Sequence, residues 1–413
     1  MDDGQLILAA GALLVAGLLA SLVAARVRMP SLVLFLGVGM LVGSDGLGWI
    51  PFSDYRLART IGVVSLALIL FDGGLTSGML ALRPVVGAAT ALATVGTTLT
   101  ALLVGACASA LFGFSLKEGL LVGAILSATD GAATFAMLRG SSLSRALAQT
   151  LEGESGLNDP VAVLLVLGFI NLLTRPGYGA GDLALLFARQ CAIGLGVGVG
   201  VGVFGVLILR RVSLSAAGLY PVATLAFAAV AYGGADTLHG SGFLAVFLAG
   251  LTFGSAHLPA QRTIVSFHQG LGWVAQVALF VTLGLLVFPS ALGAVAVNGT
   301  ILAFALAIGA RPVAVVVSTL PFRYSWGERL ILGWAGMRGA VPVVLATYPV
   351  IAHVPRSVEF FDIVFFAVLV TTVVQGSTVE PLARRLRLTS GGVRAPGPLV
   401  AEAAVQAAPG PPP

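Results

Sequence analysis

Glu152-Gly153-Glu154-Ser155-Gly156-Leu157-Asn158-Asp159-Pro160 is the stretch on which the reading of this chain turns. It offers carboxylates, a hydroxyl and an amide, and then Val161 to Thr174 runs on without a formal charge. Those residues alone make a helix too short to cross a hydrocarbon core of about 30 Å at 1.5 Å per residue. A span that includes them must therefore begin inside the polar stretch and carry Asp159 with it. Glu154 and Asn158 stand four apart, as do Ser155 and Asp159, so each pair shares a helix face. Pro160 is expected to loosen the helix locally. For Glu152 the plainer reading is a helix start near the membrane interface.

The rest of the chain makes the membrane reading unavoidable. Of 413 residues, 58% are apolar and 9% are charged, where soluble domains carry about 25% charged residues. The 54 glycines are about twice the usual share. A soluble enzyme, a disordered chain and a secreted disulfide scaffold are excluded. Cys107 and Cys191 lie in apolar runs and suit neither a disulfide framework nor a zinc site. The acidic start, Met1-Asp2-Asp3-Gly4-Gln5, is not that of a cleaved signal peptide, so the first apolar run should be a retained helix. At about 30 residues per span and loop, the length holds about 13 spans.

Uncharged runs place those spans at 4–25, 31–49, 58–81, 84–112, 116–139, 150–173, 184–209, 214–235, 240–258, 269–288, 292–320, 328–352 and 359–383. With this count, 14 of the 22 basic residues fall in one set of loops and the tail, 6 in the other, and Arg311 and Arg338 inside spans. The bias predicts an outside N-terminus and a cytoplasmic C-terminus. Residues 1–387 read as the membrane domain. Residues 388–413, small and Ala/Pro-rich, read as a disordered cytoplasmic tail.

Charge inside a span costs roughly 2.5–3.5 kcal/mol on insertion scales and is rarely kept without a task. The candidates are Asp72, Asp130, Glu154, Asp159, Arg311 and Arg338. Asp130 lies in Ser127-Ala128-Thr129-Asp130-Gly131, a run poor in helix formers that suits a break in the fifth span. Hydroxyls and freed carbonyls there are hard ligands for a monovalent cation. Gly336-Met337-Arg338-Gly339-Ala340-Val341-Pro342 breaks the twelfth span in the same manner. The two breaks fall at the fifth span of residues 1–175 and the fifth of 214–385, with 184–209 as a linker helix. Corresponding interruptions in two halves point to a transporter site, and six-span halves separated by one span are inverted repeats. Arg311 sits deep in the eleventh span, with Glu154 the preferred partner and Arg338 its rival. Asp72, in Leu70-Phe71-Asp72-Gly73-Gly74, either lines an access funnel or caps a bent helix.

These residues resemble the cation:proton antiporter-1 family, and within it the NhaP/CvrA-type bacterial potassium (or sodium)/proton antiporters. The resemblance rests on Ser-Ala-Thr-Asp at 127–130, Glu-Ser-Gly-Leu-Asn-Asp-Pro at 154–160, Ala-Arg-Pro at 310–312 and Gly-Met-Arg-Gly-Ala-Val-Pro at 336–342. Phe-Asp-Gly-Gly-Leu at 71–75 and Gly-Phe-Leu-Ala-Val-Phe-Leu-Ala-Gly at 242–250 extend it. In order and spacing it covers residues 5–385. It implies a homodimer in a bacterial cell membrane, a mobile core domain built on crossed broken helices, and electroneutral exchange of K⁺ or Na⁺ for H⁺. It implies that Asp159 binds proton or cation, that Ser155, Thr129 and Asp130 supply further oxygens, and that Asn158 stabilises the site. Glu154 would pair with a deep arginine, and Arg338 would steady the crossed helices. Gly131 departs from the Ala or Pro expected after Thr-Asp. Longer members carry a cytoplasmic regulatory domain; none follows here, so regulation through one is not expected.

Proton and cation would compete for one carboxylate, and only an occupied site moves cheaply through the membrane. The rivals are a cation channel, a proton-coupled carrier of an organic substrate, and an intramembrane hydrolase using Ser155. The hydrolase fails for want of a histidine in the same spans: His239, His257, His268 and His353 lie elsewhere. Lys117 is the only lysine and no phosphate-cradling Gly-Lys loop exists, so neither a nucleotide nor another cofactor is called for. A net charge of +5 spread over loops does not suggest nucleic acid. Gly194, Gly196, Gly198, Gly200 and Gly202 read as a stripe for close helix packing. Trp49, Trp273, Trp326 and Trp334 read as packing or interface anchors.

Overall fold

The computed structural model describes residues 3–27, 31–130 and 143–388. The second half of the expected fifth span, Gly131 included, and the tail beyond Leu388 lie outside the described residues. The described chain is helical nearly throughout. In order it forms α1 (Asp3–Val27), α2 (Ser31–Val42), α3 (Tyr55–Leu82), α4 (Val86–Phe112) and α5 (Leu116–Ser127). Then follow α6 (Arg145–Thr174), α7 (Ala180–Arg211), α8 (Leu219–Thr237), α9 (Gly242–Gly254) and α10 (Gln261–Leu285). The chain closes with α11 (Pro289–Thr319), α12 (Trp326–Ala335), α13 (Ala340–Ile351) and α14 (Ser357–Arg385).

Among the described residues, seven helices are long and apolar enough to cross a membrane. The pair α12 and α13, bent by 50° at a short break, makes an eighth. The chain is therefore a multi-pass membrane protein. Each expected span overlaps a helix or a helix pair among the described residues, but several lengths differ. α2 and α9 have 12 and 13 residues, about 18–20 Å at the helical rise and short of a full hydrocarbon core. Conversely, α10 begins eight residues before the expected 269, and α6 five before the expected 150. The added residues include Arg262 and His268 in α10 and Arg145 in α6. A charge ends an uncharged run; it does not end a helix.

The elements begin where the sequence supplies caps. Asp54 accepts the backbone N–H groups of Arg56 and Leu57 at 2.9 and 3.0 Å and starts α3. Ser115 and Glu118 form a capping box at the head of α5, and Ser325 and Glu328 form the same box at the head of α12. α4 and α11 each contain a π-helical turn, at Leu92–Gly96 and Ala305–Ala310. Such a turn inserts a residue and rotates everything after it about the helix axis. In α11 it ends at Arg311.

Backbone contact without side chains sets the closest packings. Gly74 of α3 lies against the backbone of Phe247 and Leu251, and Gly250 against that of Phe71, so a Cβ at either would collide with α9 or α3. The Phe-Asp-Gly-Gly-Leu and 242–250 motifs thus meet each other. α3 bends at Gly78, whose φ of +66° suits glycine. The glycine run of α7 divides. Gly194, Gly198 and Gly202 press onto α9, whereas Gly196 and Gly200 are exposed with nothing beside them. A spacing of four brings residues to one helix face and a spacing of two does not, so close packing explains only every other member. Pro160 lies inside an unbroken α6. Its missing N–H removes one helical bond without separating the two sides of the helix.

Candidate functional site

The two expected breaks meet. α5 ends at Ser127, and Ala128 turns the chain to extended backbone. Residues 336–339 separate α12 from α13. The Asp130 N–H donates to the Met337 carbonyl at 3.0 Å, and the Ala340 N–H donates to Asp130 Oδ2 at 2.8 Å. The Asp130 carboxylate therefore caps α13, where the free N–H groups and the helix dipole favour negative charge. A Cβ at Gly339 would fall on that carboxylate, which explains the glycine. Thr372 of α14 donates to the carbonyl of Arg338 and ties down the far side of the break.

α6 passes this crossing with its polar stretch buried: Glu154, Ser155, Asn158 and Asp159 are each 2% exposed or less. The Asn158 amide donates to the Thr129 hydroxyl, and Thr129 Oγ1 lies 3.4 Å from Ser155 Oγ. Thus Ser155 and Asn158, three apart, converge on Thr129. Glu154 and Asn158, four apart on one helix face, take different partners.

Glu154 reaches Arg311. The ion pair closes to 2.6 Å between Oε1 and Nη1, Nη2 donates to Oε2 at 2.8 Å, and the same Nη2 donates to the Leu332 carbonyl at 3.3 Å. Both residues are 1% exposed. The π turn aims Arg311 inward, and Gly336 leaves room for its guanidinium against the broken segment. This decides between the two arginines. Arg338 is equally buried, feels the charges of Arg311 and Glu154, and makes no side-chain hydrogen bond among the described residues.

Asp159 differs from every other buried charge on α6. Its side chain makes neither ion pair nor hydrogen bond among the described residues, and Oδ1 is fully buried. The Asn158 Oδ1 beside it is likewise buried and unbonded. Buried polar atoms are nearly always partnered, so the two orphan oxygens on these adjacent residues stand out. The enclosed space at Asp159 is about 10 Å³, room for a water or a small ion. Among the described residues no cluster of three His, Cys, Asp or Glu side chains has the form of a multivalent metal site.

Asp72 is buried in continuous helix on α3, where Oδ2 faces the surface of Gly272 on α10. The bend of α3 lies six residues further on, at Gly78. Glu152 accepts from Ser77 at 3.1 Å.

A family model described as sodium/hydrogen exchanger, transmembrane, matches residues 11–385. The chain belongs to the sodium/hydrogen exchanger family. These are transporters, not enzymes, and the resemblance read from the motifs is borne out. Relatives of this exchanger include the K(+)/H(+) antiporter NhaP of Alkalimonas amylolytica, 40% identical over 92% of this chain and 67% of that protein. The K(+)/H(+) antiporter NhaP2 of Shewanella sp. (strain MR-4) is 40% identical over 91% of this chain and 66% of that protein. The chain thus spans about two thirds of the length of these relatives. In structure the exchanger resembles the sodium proton antiporter MjNhaP1 of Methanocaldococcus jannaschii. One structure gives a TM-score of 0.80 at 25% identity over 94% of this chain and 98% of that one. The structure at pH 8 gives 0.78 at 24% identity over 92% and 99%.

Sequence reasoning missed several contributors. Gly336 and Gly339 were read only as helix breakers, whereas each makes room for a named charged group. The capping boxes Ser115-x-x-Glu118 and Ser325-x-x-Glu328 are legible in sequence and mark the heads of α5 and α12, the helices that lead into the crossing.

Proposed function

We propose that this exchanger moves a monovalent cation, K⁺ or Na⁺, across a bacterial cell membrane in exchange for a proton, one for one, by alternating access. The observation that carries the reading is the Asp159 carboxylate, without an ion pair or hydrogen bond among the described residues and buried where an unoccupied charge is costly to carry through the bilayer. Asp159 binds proton or cation in turn. Ser155, Thr129 and Asn158 complete the oxygen set, and Asp130 holds the crossing in place and adds its charge. Glu154 with Arg311, and Arg338 in the break, support the framework. Asp72 belongs to the access funnel. The small space at Asp159 favours an ion over an organic substrate.

The helices form 13 spans in two inverted halves, about 1–175 and 214–385, around the linker α7. Capping boxes at α5 and α12, π turns in α4 and α11, and breaks after α5 and α12 support this, because they recur at matching places. The N-terminus lies outside and the C-terminus in the cytoplasm, as the arginine bias supports. The working unit is a homodimer, an inference from the family resemblance.

The test is pH change inside proteoliposomes on addition of K⁺, Na⁺ or Li⁺, with the unaltered chain beside Asp159→Asn. Cation-evoked proton movement that Asp159→Asn abolishes is expected. Undiminished exchange in the variant would remove Asp159 from the mechanism.

A further inference from the structure

The small space at Asp159 is one of two cavities that nearly touch. The second is a vestibule of about 360 Å³ whose lining includes Arg59, Gln190, Asp236, His239 and Tyr348. Arg59, Asp236 and His239 are exposed, so the vestibule opens at the surface. Val163, Phe243 and Tyr348 line both cavities and form the partition between them.

The helices explain why the two align. Val341, Val344, Leu345 and Tyr348 follow the i, i+3, i+4, i+7 pattern that places residues on one face. The first three line the inner space, and Tyr348 stands at its outer end. Asp159, Val163 and Leu167 repeat every four residues along α6, leading from the carboxylate to the vestibule. On α3, Leu66, Val63 and Arg59 make the same passage in the opposite chain direction. Three helices thus present a continuous track from Arg59 to Asp159.

One residue on that track is bulky, half-buried and held. The Arg59 guanidinium lies over the Tyr348 ring, 4.5 Å from its centre. A cation attracted to the ring face fixes the ring and places a positive charge at the head of the track. The barrier is therefore both steric and electrostatic to an incoming cation. Asp236, at the vestibule wall, supplies the opposite charge where a cation would arrive. α13, which carries Tyr348, is the helix whose N-terminus Asp130 caps. A shift of the crossing would be transmitted along this helix to the ring.

We propose that Tyr348, held by Arg59, is the gate on an ion path joining the vestibule to Asp159. This rests on the exchange reading for the identity of the ion, but the gate itself can be tested without transport. Leu66 is buried, lines the inner space and not the vestibule, so Leu66→Cys reports on what passes the gate. The full chain, with Cys107 and Cys191 replaced by alanine, is placed in proteoliposomes. A membrane-impermeant trimethylammonium thiosulfonate is added from one side, and labelling is followed by intact mass.

Tyr348→Ala should speed Leu66→Cys labelling about tenfold or more from the vestibule side and leave the opposite side unchanged, the loss of a partly desolvated cation–π contact plus the ring's bulk. Arg59→Gln, at an exposed position where folding is not at stake, should give about a two- to fivefold rise. Tyr348→Phe keeps a ring under Arg59 and should label at the original rate. Equal rates in the Arg59→Gln and unaltered-gate chains, or a rise of the same size from both sides, would overturn the gate. Loss of exchange in the unaltered chain would overturn the exchange reading alone, because labelling needs no transport.

Discussion

Glu154 and Asp159 stand five residues apart on one helix, equally buried, and the structure treats them oppositely. Glu154 receives a bidentate arginine, whose guanidinium is in turn bonded to a backbone carbonyl. Asp159 receives nothing among the described residues. A buried ion pair neutralises itself and has no reason to bind or release anything; a buried lone carboxylate demands a proton or a cation. In the exchange reading proposed above, one charge belongs to the framework and the other to the cargo.

The sharpest way to break this contrast is at Asp159. Asp159→Asn should abolish exchange, down to the background of empty liposomes, while melting and elution in detergent stay near those of the unaltered chain, because no described ion pair or hydrogen bond is lost. Glu154→Gln should do the reverse in kind. It strands Arg311, and removing one partner of a buried pair costs about 3–5 kcal/mol, so the melting temperature should fall clearly. Glu154→Gln combined with Arg311→Met removes both charges and should recover part of that loss. A double variant no more stable than the single would show that Glu154 is not mainly Arg311's counter-charge.

Much of this contrast is legible in the sequence because charge in an apolar run is conspicuous. Asp130, Glu154, Asp159, Arg311 and Arg338 stand out for that reason, and the breaks follow from glycines beside them. What escapes is geometry that depends on rotation about a helix axis. The sequence prefers Arg311 to Arg338 as the partner of Glu154, but the π turn at Ala305–Ala310 that immediately precedes Arg311 falls in a run with no distinguishing residue. The early starts of α6 and α10 escape because polar first turns resemble loops when only hydropathy is read. Tyr348 escapes because an aromatic residue near a helix end reads as an interface anchor, and only the convergence of three helices gives it another place.

The two helix breaks offer a second, milder contrast. Asp130 spends its charge on the N-terminus of α13, whereas Arg338 contributes its carbonyl and leaves its guanidinium without a described bond. Gly339→Ala tests the first. Its Cβ would land on the Asp130 carboxylate and push it off the cap, an overpacking cost of roughly 1–3 kcal/mol. Melting should fall and exchange should slow. An unchanged melting temperature would mean that the Asp130–Ala340 bond contributes little to the crossing.

Asp45 sharpens the comparison by performing Asp130's task in water. Its Oδ2 accepts the Ser290 N–H at 2.7 Å, capping the head of α11 from a distant loop. Bonding to that N–H holds the Asp45 carboxyl below the usual carboxylate range, which is about 3.9. A carboxyl lowered on folding adds stability above its unfolded value, and that contribution is lost as pH falls through the folded one. Asp45→Asn should therefore lower the melting temperature at pH 7 by no more than about 1–2 °C, and the gap to the unaltered chain should close as pH falls below about 4. The effect is small because water competes for both partners at an exposed site. A gap that widened in acid would mean that the charge of Asp45 is not what caps α11.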